Sequence, residues 1–395
     1  MSLDVARARR ETPGAERVVH FNNAGSSLPP AAVVEAMIEH LRLEAEVGGY
    51  EAYDRRKTAT ERPYAALAAL LGCGADEIAV LDSATRAWDM AFYALSLKPG
   101  DKIVTGRSEY CSNLIAFLHA ARRTGCELQI VPDDADGVVD LSALAAAIDG
   151  RTRLVAVTHV PTTGGLVNPA AEIGKIARAA GVPYLLDICQ STGQMPIDVR
   201  AIGCDMASGT GRKFLRGPRG TGFLYVRRGF LDRLDPPFLD DHAAEWQDGG
   251  RYSMRPDARR FETFECGFAA KIGLGVAVDY AAAWDMAAIA ARVGPLAAEL
   301  RARIAALPGA RVHDRGRELC GIVTFSLAGA RAEEVKRRLG ERAINVSVSG
   351  WEGTPLDLAL RDPGRFVRAS LHYYNTEAEI DGFVAALHGI ARDAA

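Results

Sequence analysis

From about Leu81 onward, short β-prone runs alternate with longer stretches of helical apolar spacing. The runs 102–105, 127–131, 153–158 and 183–187 predict strands, and 153–158 has the apolar content of a strand buried on both faces. Between them, 112–123, 141–148 and 169–180 carry the spacing of helices. Pro183 is tolerated because it opens its strand. This order predicts an α/β fold: a mostly parallel central sheet covered by helices on both faces. Ligands of such sheets lie outside the carboxyl ends of the strands, and Thr158, His159 and Asp187 fall at such ends.

The pattern changes beyond Gly229. A loop-rich segment over 235–260 precedes a long predicted helix at 269–284. A second α/β portion follows, with strands near 321–327 and 366–371 and a last helix over 377–391. With 395 residues, the chain exceeds what one hydrophobic core usually organises. The expected division is a large domain over 21–285 and a smaller α/β domain built from 1–20 and 286–395.

Charge narrows the partners. Lys and Arg total 47 against 50 Asp and Glu, a net charge of −3, which gives no support to a nucleic-acid or anionic-membrane partner. The basic run Lys336-Arg337-Arg338 follows Glu333-Glu334 and reads as one solvated helix face. Seven scattered cysteines without a CxxC pair fit reduced thiols, and eight histidines without HExxH spacing give no metal site. No apolar stretch has the length of a membrane span, so the expected setting is cytoplasmic.

The chemistry gathers around Lys213, in the run Ser208-Gly209-Thr210-Gly211-Arg212-Lys213 that leads to Gly217-Pro218-Arg219-Gly220. A lysine amine forms a Schiff base with an aldehyde, and pyridoxal 5'-phosphate is the biological aldehyde that needs one. Glycine-rich backbone permits the close approach of a ligand. Arg212 and Arg216 are candidates for a cationic field that favours the neutral amine, and Arg212 is alternatively a phosphate ligand. Asp187 ends a strand and is a candidate partner for a pyridinium nitrogen, with Gln190 three positions on; a surface aspartate at a strand–loop junction is the plain rival. Ser83-Ala84-Thr85 precedes a helical pattern over 86–97 and offers either a phosphate cup or an N-cap that binds nothing. Thr210 is a second candidate phosphate ligand. Arg368 sits inside an apolar strand, where its guanidinium matches either a substrate carboxylate or a structural ion pair.

Together these residues resemble fold-type I pyridoxal-phosphate enzymes of the class V aminotransferase superfamily, which holds cysteine desulfurases, selenocysteine lyase and isopenicillin N epimerase. The likeness runs from Phe21-Asn22-Asn23-Ala24-Gly25 to Asn375-Thr376. It implies Lys213 as the Schiff-base lysine, Asp187 on the pyridinium and Gln190 on the ring oxygen. It also implies phosphate contacts from Thr85 and Thr210, beside the cofactor-binding candidates Ser83, Ala84 and Arg212. Arg368 would take the substrate carboxylate, with Asn23, Thr162 and Tyr53 beside the substrate, and a homodimer is implied. Where the group stacks a histidine on the ring, this chain has Tyr110-Cys111: Tyr110 is a candidate acid and Cys111 a ring neighbour. Glu265 stands where a phosphate-binding threonine from the partner chain is expected.

Desulfurases of this group carry a nucleophilic cysteine on a loop shortly before the carboxylate arginine, and residues 347–367 contain none. The runs 161–169 and 212–220 resemble hercynylcysteine sulfoxide lyases. The expected function is therefore β-elimination on an amino acid with carbon–sulfur cleavage. An epimerase or aminotransferase of the same superfamily, or a non-catalytic cofactor-binding protein, are the alternatives. Tyr50, Tyr53, Trp88, Trp351 and Tyr373 are candidates for either pocket walls or core packing.

Overall fold

The computed structural model describes residues 3–350, 352–361 and 364–394, which leaves Trp351 outside the described residues. Seven strands form the central sheet: β1 (Ile78–Leu81), β2 (Lys102–Thr105), β3 (Glu127–Ile130), β4 (Thr152–Thr158), β5 (Tyr184–Asp187), β6 (Met206–Thr210) and β7 (Gly222–Val226). Their spatial order is β1-β7-β6-β5-β4-β2-β3. All neighbours are parallel except β7, which runs antiparallel to both β1 and β6. The mostly parallel sheet expected from the sequence is therefore present.

The one reversal places the lysine. Because β7 returns beside β6, with Thr210 opposite Gly222, the connection between them turns back at the carboxyl end of β6. Lys213 sits in that connection, at the same end of the sheet as Asp187 on β5. Each face of the sheet has its own apolar core. Leu186, Val157, Tyr184 and Phe223 belong to one, and Leu154, Leu185, Leu224 and Phe117 to the other, all nearly inaccessible. Complete burial of such side chains contributes about 1.5–3 kcal/mol each, and alternate residues of one strand serve both cores.

Helices α1 (Ala84–Tyr93), α2 (Cys111–Thr124) and α3 (Ala170–Ala179) flank the sheet. The sequence pattern predicts α1 later and longer, over 86–97, than it is found. Helices at Ala31–Val47 and Lys57–Leu71 pack on α4 (Phe268–Ala283). The segment expected as loop, 235–260, contains an antiparallel hairpin, Ala244–Gln247 with Arg251–Met254. Its paired aromatics Trp246 and Tyr252 are 76% and 58% exposed, so the buried-face alternation that announces a strand is missing.

A second sheet has the order β8-β9-β11-β10, from β8 (Ala310–Val312), β9 (Ile322–Leu327), β10 (Ser347–Ser349) and β11 (Phe366–Ser370), all antiparallel. Helices α5 (Met286–Ala305) and α6 (Glu377–Ala394) supply Leu300 and Phe383 to its core. The N-terminal segment joins this unit: Val19–His20 pairs with Ile344–Asn345, and Phe21 meets Phe383 edge-on at 5.2 Å. Among the described residues no single helix is long and apolar enough to cross a membrane.

Candidate active site

Lys213 is 9% exposed, and among the described residues its amine has no hydrogen bond or ion pair. Burial pushes its pKa down; Cys189 and Asp187 oppose that, and Arg212 and Arg368 reinforce it. Arg212 therefore supplies the cationic neighbour expected of it, but Arg216 does not. Arg216 is turned away into a buried cage, donating to Leu28 O at 2.9 Å, Tyr373 Oη at 2.6 Å and the Thr12 hydroxyl. Its backbone φ of 60° lets the lysine turn close, with Arg216 N donating to Lys213 O at 2.9 Å. The second cation near Lys213 is Arg368, which comes from the other sheet.

Arg368 lies on β11 between Thr324 and Ser347. Its Nε donates to Ser347 Oγ at 3.0 Å, and Nη1 donates to Thr162 O at 2.9 Å and Oγ1 at 2.7 Å. All three partners are neutral, and among the described residues no carboxylate lies within ion-pair distance. The structural ion pair set against a ligand role in the sequence is thus absent among those residues. Burial, then Arg212, holds its pKa down to about 10. Arg212 is held by the carbonyl of Gly25 and lies within electrostatic reach of Tyr110, as does Arg368. Arg212, Lys213 and Arg368 form a cationic cluster with no ion pair among the described residues, a setting that suits an anion.

Asp187 is 5% exposed. Its Oδ1 accepts from Cys189 N at 2.8 Å and its Oδ2 from Asn113 Nδ2 at 3.1 Å. Gln190 Nε2 donates to Ala24 O at 3.2 Å and Thr162 Oγ1 at 3.1 Å, while its buried Oε1 has no partner among the described residues. Thr162 therefore links Gln190 to Arg368. The Ser208 hydroxyl, on the strand residue paired with Asp187, is buried and also unpartnered.

The phosphate candidates assemble at the start of α1. Ser83 caps the helix, accepting from Arg86 N at 3.1 Å, and Thr85 stays exposed in the first turn. Gly222 packs directly under this end: a Cβ there would lie 2.2 Å from Ser83 C and 2.5 Å from Ala84 N. Since Gly222 is opposite Thr210, the absence of that side chain brings Ser83, Ala84 and Thr210 to one place.

Two residues expected beside the substrate have partners elsewhere in the chain. Asn23 is fully buried with its polar atoms spent: Nδ2 donates to His20 O at 3.1 Å and Ser370 O at 2.8 Å, and Oδ1 accepts from Tyr374 Oη at 2.6 Å. It straps the N-terminal segment to the second sheet. The Tyr53 ring packs against Phe268, centroids 4.9 Å apart and tilted by 47°, and no contact among the described residues joins it to Lys213 or Arg368. Trp88 and Tyr373 are each 1% exposed and pack in cores, whereas Tyr50 is 74% exposed. Tyr110 lies within electrostatic reach of Arg212 and Arg368. Tyr110 ends the turn before α2, and Cys111 N donates to Gly353 O at 3.0 Å.

Sequence reasoning passes over Glu109, Asn113 and Cys189. Asn113 donates both to Asp187 and to Glu109 Oε1, the latter at 2.8 Å. Burial raises the Glu109 pKa to about 7. Cys189 has its thiol pKa raised, first by burial and then by Asp187. A polar pair four residues apart at a helix start is the available signal for Glu109 and Asn113.

Residues 19–383 match the family model described as aminotransferase class-V. A probable cysteine desulfurase from Methanothermobacter thermautotrophicus is 32% identical over 389 residues, covering 97% of each chain. A cysteine desulfurase from Dickeya dadantii is 30% identical, covering 97% of this chain and 94% of the relative. Among solved structures, apo cysteine desulfurase from Thermococcus onnurineus superposes with a TM-score of 0.92 at 26% identity, covering 100% of this chain and 99% of that one. The cystine C–S lyase C-DES shares the fold, with a TM-score of 0.86 at 23% identity over 95% of this chain and 99% of its own. The chain belongs to the aminotransferase class-V family.

Proposed function

We propose that this protein is a pyridoxal-phosphate-dependent lyase that removes a sulfur leaving group from the β-carbon of an amino acid, a cysteine conjugate or its S-oxide. The reading is carried by the convergence of Lys213, Asp187, Gln190 and Arg368 beside a 347–367 segment that has no cysteine.

The residues present fit the cofactor. Among the described residues, Lys213 is a buried amine without a partner, and Gln190 Oε1 is a buried acceptor without a donor. Asp187 offers a carboxylate at a strand end, and the start of α1 with Thr210 and Arg212 offers anion contacts. Lys213 would anchor the aldehyde, Asp187 the ring nitrogen, and Gln190 the ring oxygen. When bound, pyridoxal phosphate supplies an electron-accepting ring for the pair left as Cα loses its proton.

Arg368 receives the substrate carboxylate in a fork held rigid by Thr162 and Ser347. Lys213 would take the Cα proton at Nζ; its lowered pKa keeps the neutral amine accessible. Tyr110 donates a proton to the departing sulfur group. A homodimer in the cytoplasm completes the proposal. The exposed Trp246, Tyr252 and Phe264 support a protein-covered face, and seven free cysteines support a reducing compartment.

The named relatives favour a second reading, cysteine desulfuration. The products separate the two. Incubation with S-alkylcysteines and their S-oxides is expected to release pyruvate and ammonia. Alanine with enzyme-bound sulfur would transfer the assignment to a desulfurase, and Cα deuterium exchange alone would transfer it to an epimerase.

A further inference from the structure

Beneath Asp187 lies a second carboxyl group that the proposed reaction does not use. Glu109 is 2% exposed and lies within hydrogen-bond reach of four donors from three elements. Its Oε1 accepts from Asn113 Nδ2 at 2.8 Å, from Tyr110 N at 2.9 Å and from the Thr158 hydroxyl. Thr105 Oγ1 approaches its Oε2 at 3.2 Å. Asn113 uses the same Nδ2 group to reach Asp187 Oδ2 at 3.1 Å, so one amide spans the two carboxyl groups. Asp187 on β5 and the buried Tyr184 at the start of the same strand interact electrostatically with Glu109, and its hydrogen-bond partners are neutral.

A single amide that serves two carboxyl groups couples their charges. When Glu109 is ionised, Asn113 is drawn toward it and a second negative charge stands behind Asp187. Both effects raise the affinity of Asp187 for a proton or a cation on its far side. We propose that Glu109, acting through Asn113, is a positioning residue that sets how firmly Asp187 holds the protonated ring nitrogen of the cofactor. The inference rests on the reading of Asp187 given above.

The test is the pH dependence of the visible spectrum of purified holoenzyme, compared for wild type, Glu109→Gln and Asn113→Ala. The wild-type band is expected to shift with an inflection near neutrality, where burial places the Glu109 titration. Glu109→Gln should keep the visible band and lose that inflection. Asn113→Ala keeps the acid but cuts the amide link, and should shrink the inflection; it also serves if the glutamine variant fails to fold. Variant spectra that superpose on the wild-type titration would overturn the inference while leaving the cofactor assignment intact. A wild-type protein that stays colourless with pyridoxal phosphate would instead bring down the assignment of Asp187, and this inference with it.

Discussion

Arg368 donates through Nη1 to both oxygens of Thr162, at 2.9 Å to the carbonyl and 2.7 Å to the hydroxyl. The pair joins the second sheet to the loop that follows β4, so the guanidinium is aimed by both units at once. Fixing it this way removes rotamer freedom before any ligand arrives. The fork is also buried among neutral partners, a setting that leaves its charge unspent.

Replacing that fork should separate binding from chemistry. Arg368→Lys keeps a cation but cannot hold Thr162, Ser347 and a carboxylate together. Loss of a charged hydrogen bond costs about 1.5–3 kcal/mol, so KM is expected to rise roughly 10- to 100-fold with a smaller change in kcat. Steady-state kinetics on a substrate that releases pyruvate would check this. An unchanged KM would place the substrate carboxylate elsewhere.

Lys213 presents the opposite combination, a residue whose removal should damage function and spare the fold. Its amine has no partner among the described residues and is kept below its ordinary pKa chiefly by burial. Lys213→Ala therefore removes a desolvation cost and is expected to keep or raise thermal stability. Activity should fall by at least roughly 1,000-fold, since anchor and base are lost together. Borohydride reduction followed by peptide mass spectrometry should find the cofactor on Lys213 in wild type. Its recovery on another lysine would refute the assignment.

Much of this site is legible in the order of the amino acids, and the part that is not has a common cause. Lys213, Asp187 and Arg368 each stand out because a charged residue interrupts apolar or glycine-rich sequence, and strand ends are where such sheets place ligands. Glu109 and Asn113 sit at the start of a helix, where polar residues are ordinary, and only the fold reveals that they lie behind Asp187. Asn23 shows the converse: nothing in its motif announces that its amide holds Ser370 and Tyr374 in the chain fold. Arg216 looks like a neighbour of Lys213, yet the tight turn between them sends its side chain to Thr12 and Tyr373. The exposed hairpin at Ala244–Gln247 escapes a pattern-based reading because no face of it is buried within the chain.

Two buried groups predict how stability follows pH, with opposite signs. His159, at the end of β4, is pushed down to about 4 by burial, from an ordinary value near 6.5. Between those values the unfolded chain binds the proton and the folded chain does not, so stability falls on acidification, by up to roughly 3 kcal/mol. Glu109 is raised to about 7, so its contribution is complete below its unfolded value near 4.5 and is lost as pH rises through 7. His159→Phe should flatten the acid limb, and Glu109→Gln the loss above neutrality. Urea unfolding across this range would measure both slopes. A His159→Phe protein as acid-sensitive as wild type would remove His159 from the account.

Gly353 bears on the choice between elimination and sulfur transfer. Its carbonyl accepts from Cys111 N at 3.0 Å, which fixes Gly353 over the start of α2. A Cβ on Gly353 would lie 2.5 Å from Thr163 Cγ2 and 3.0 Å from Thr162 Cγ2, closer than unstrained contacts allow. Gly353 can settle on those threonines only because it has no side chain, and Thr163 in turn hydrogen-bonds Thr354. A cysteine introduced here would meet the threonine methyls, and it would loosen Thr162, the residue that aims Arg368. Gly353→Cys is therefore expected to raise KM several-fold and to give no alanine from cysteine. Product analysis with cysteine as substrate decides the matter: stoichiometric alanine from Gly353→Cys would mean that this contact opens readily and that sulfur transfer lies one substitution away.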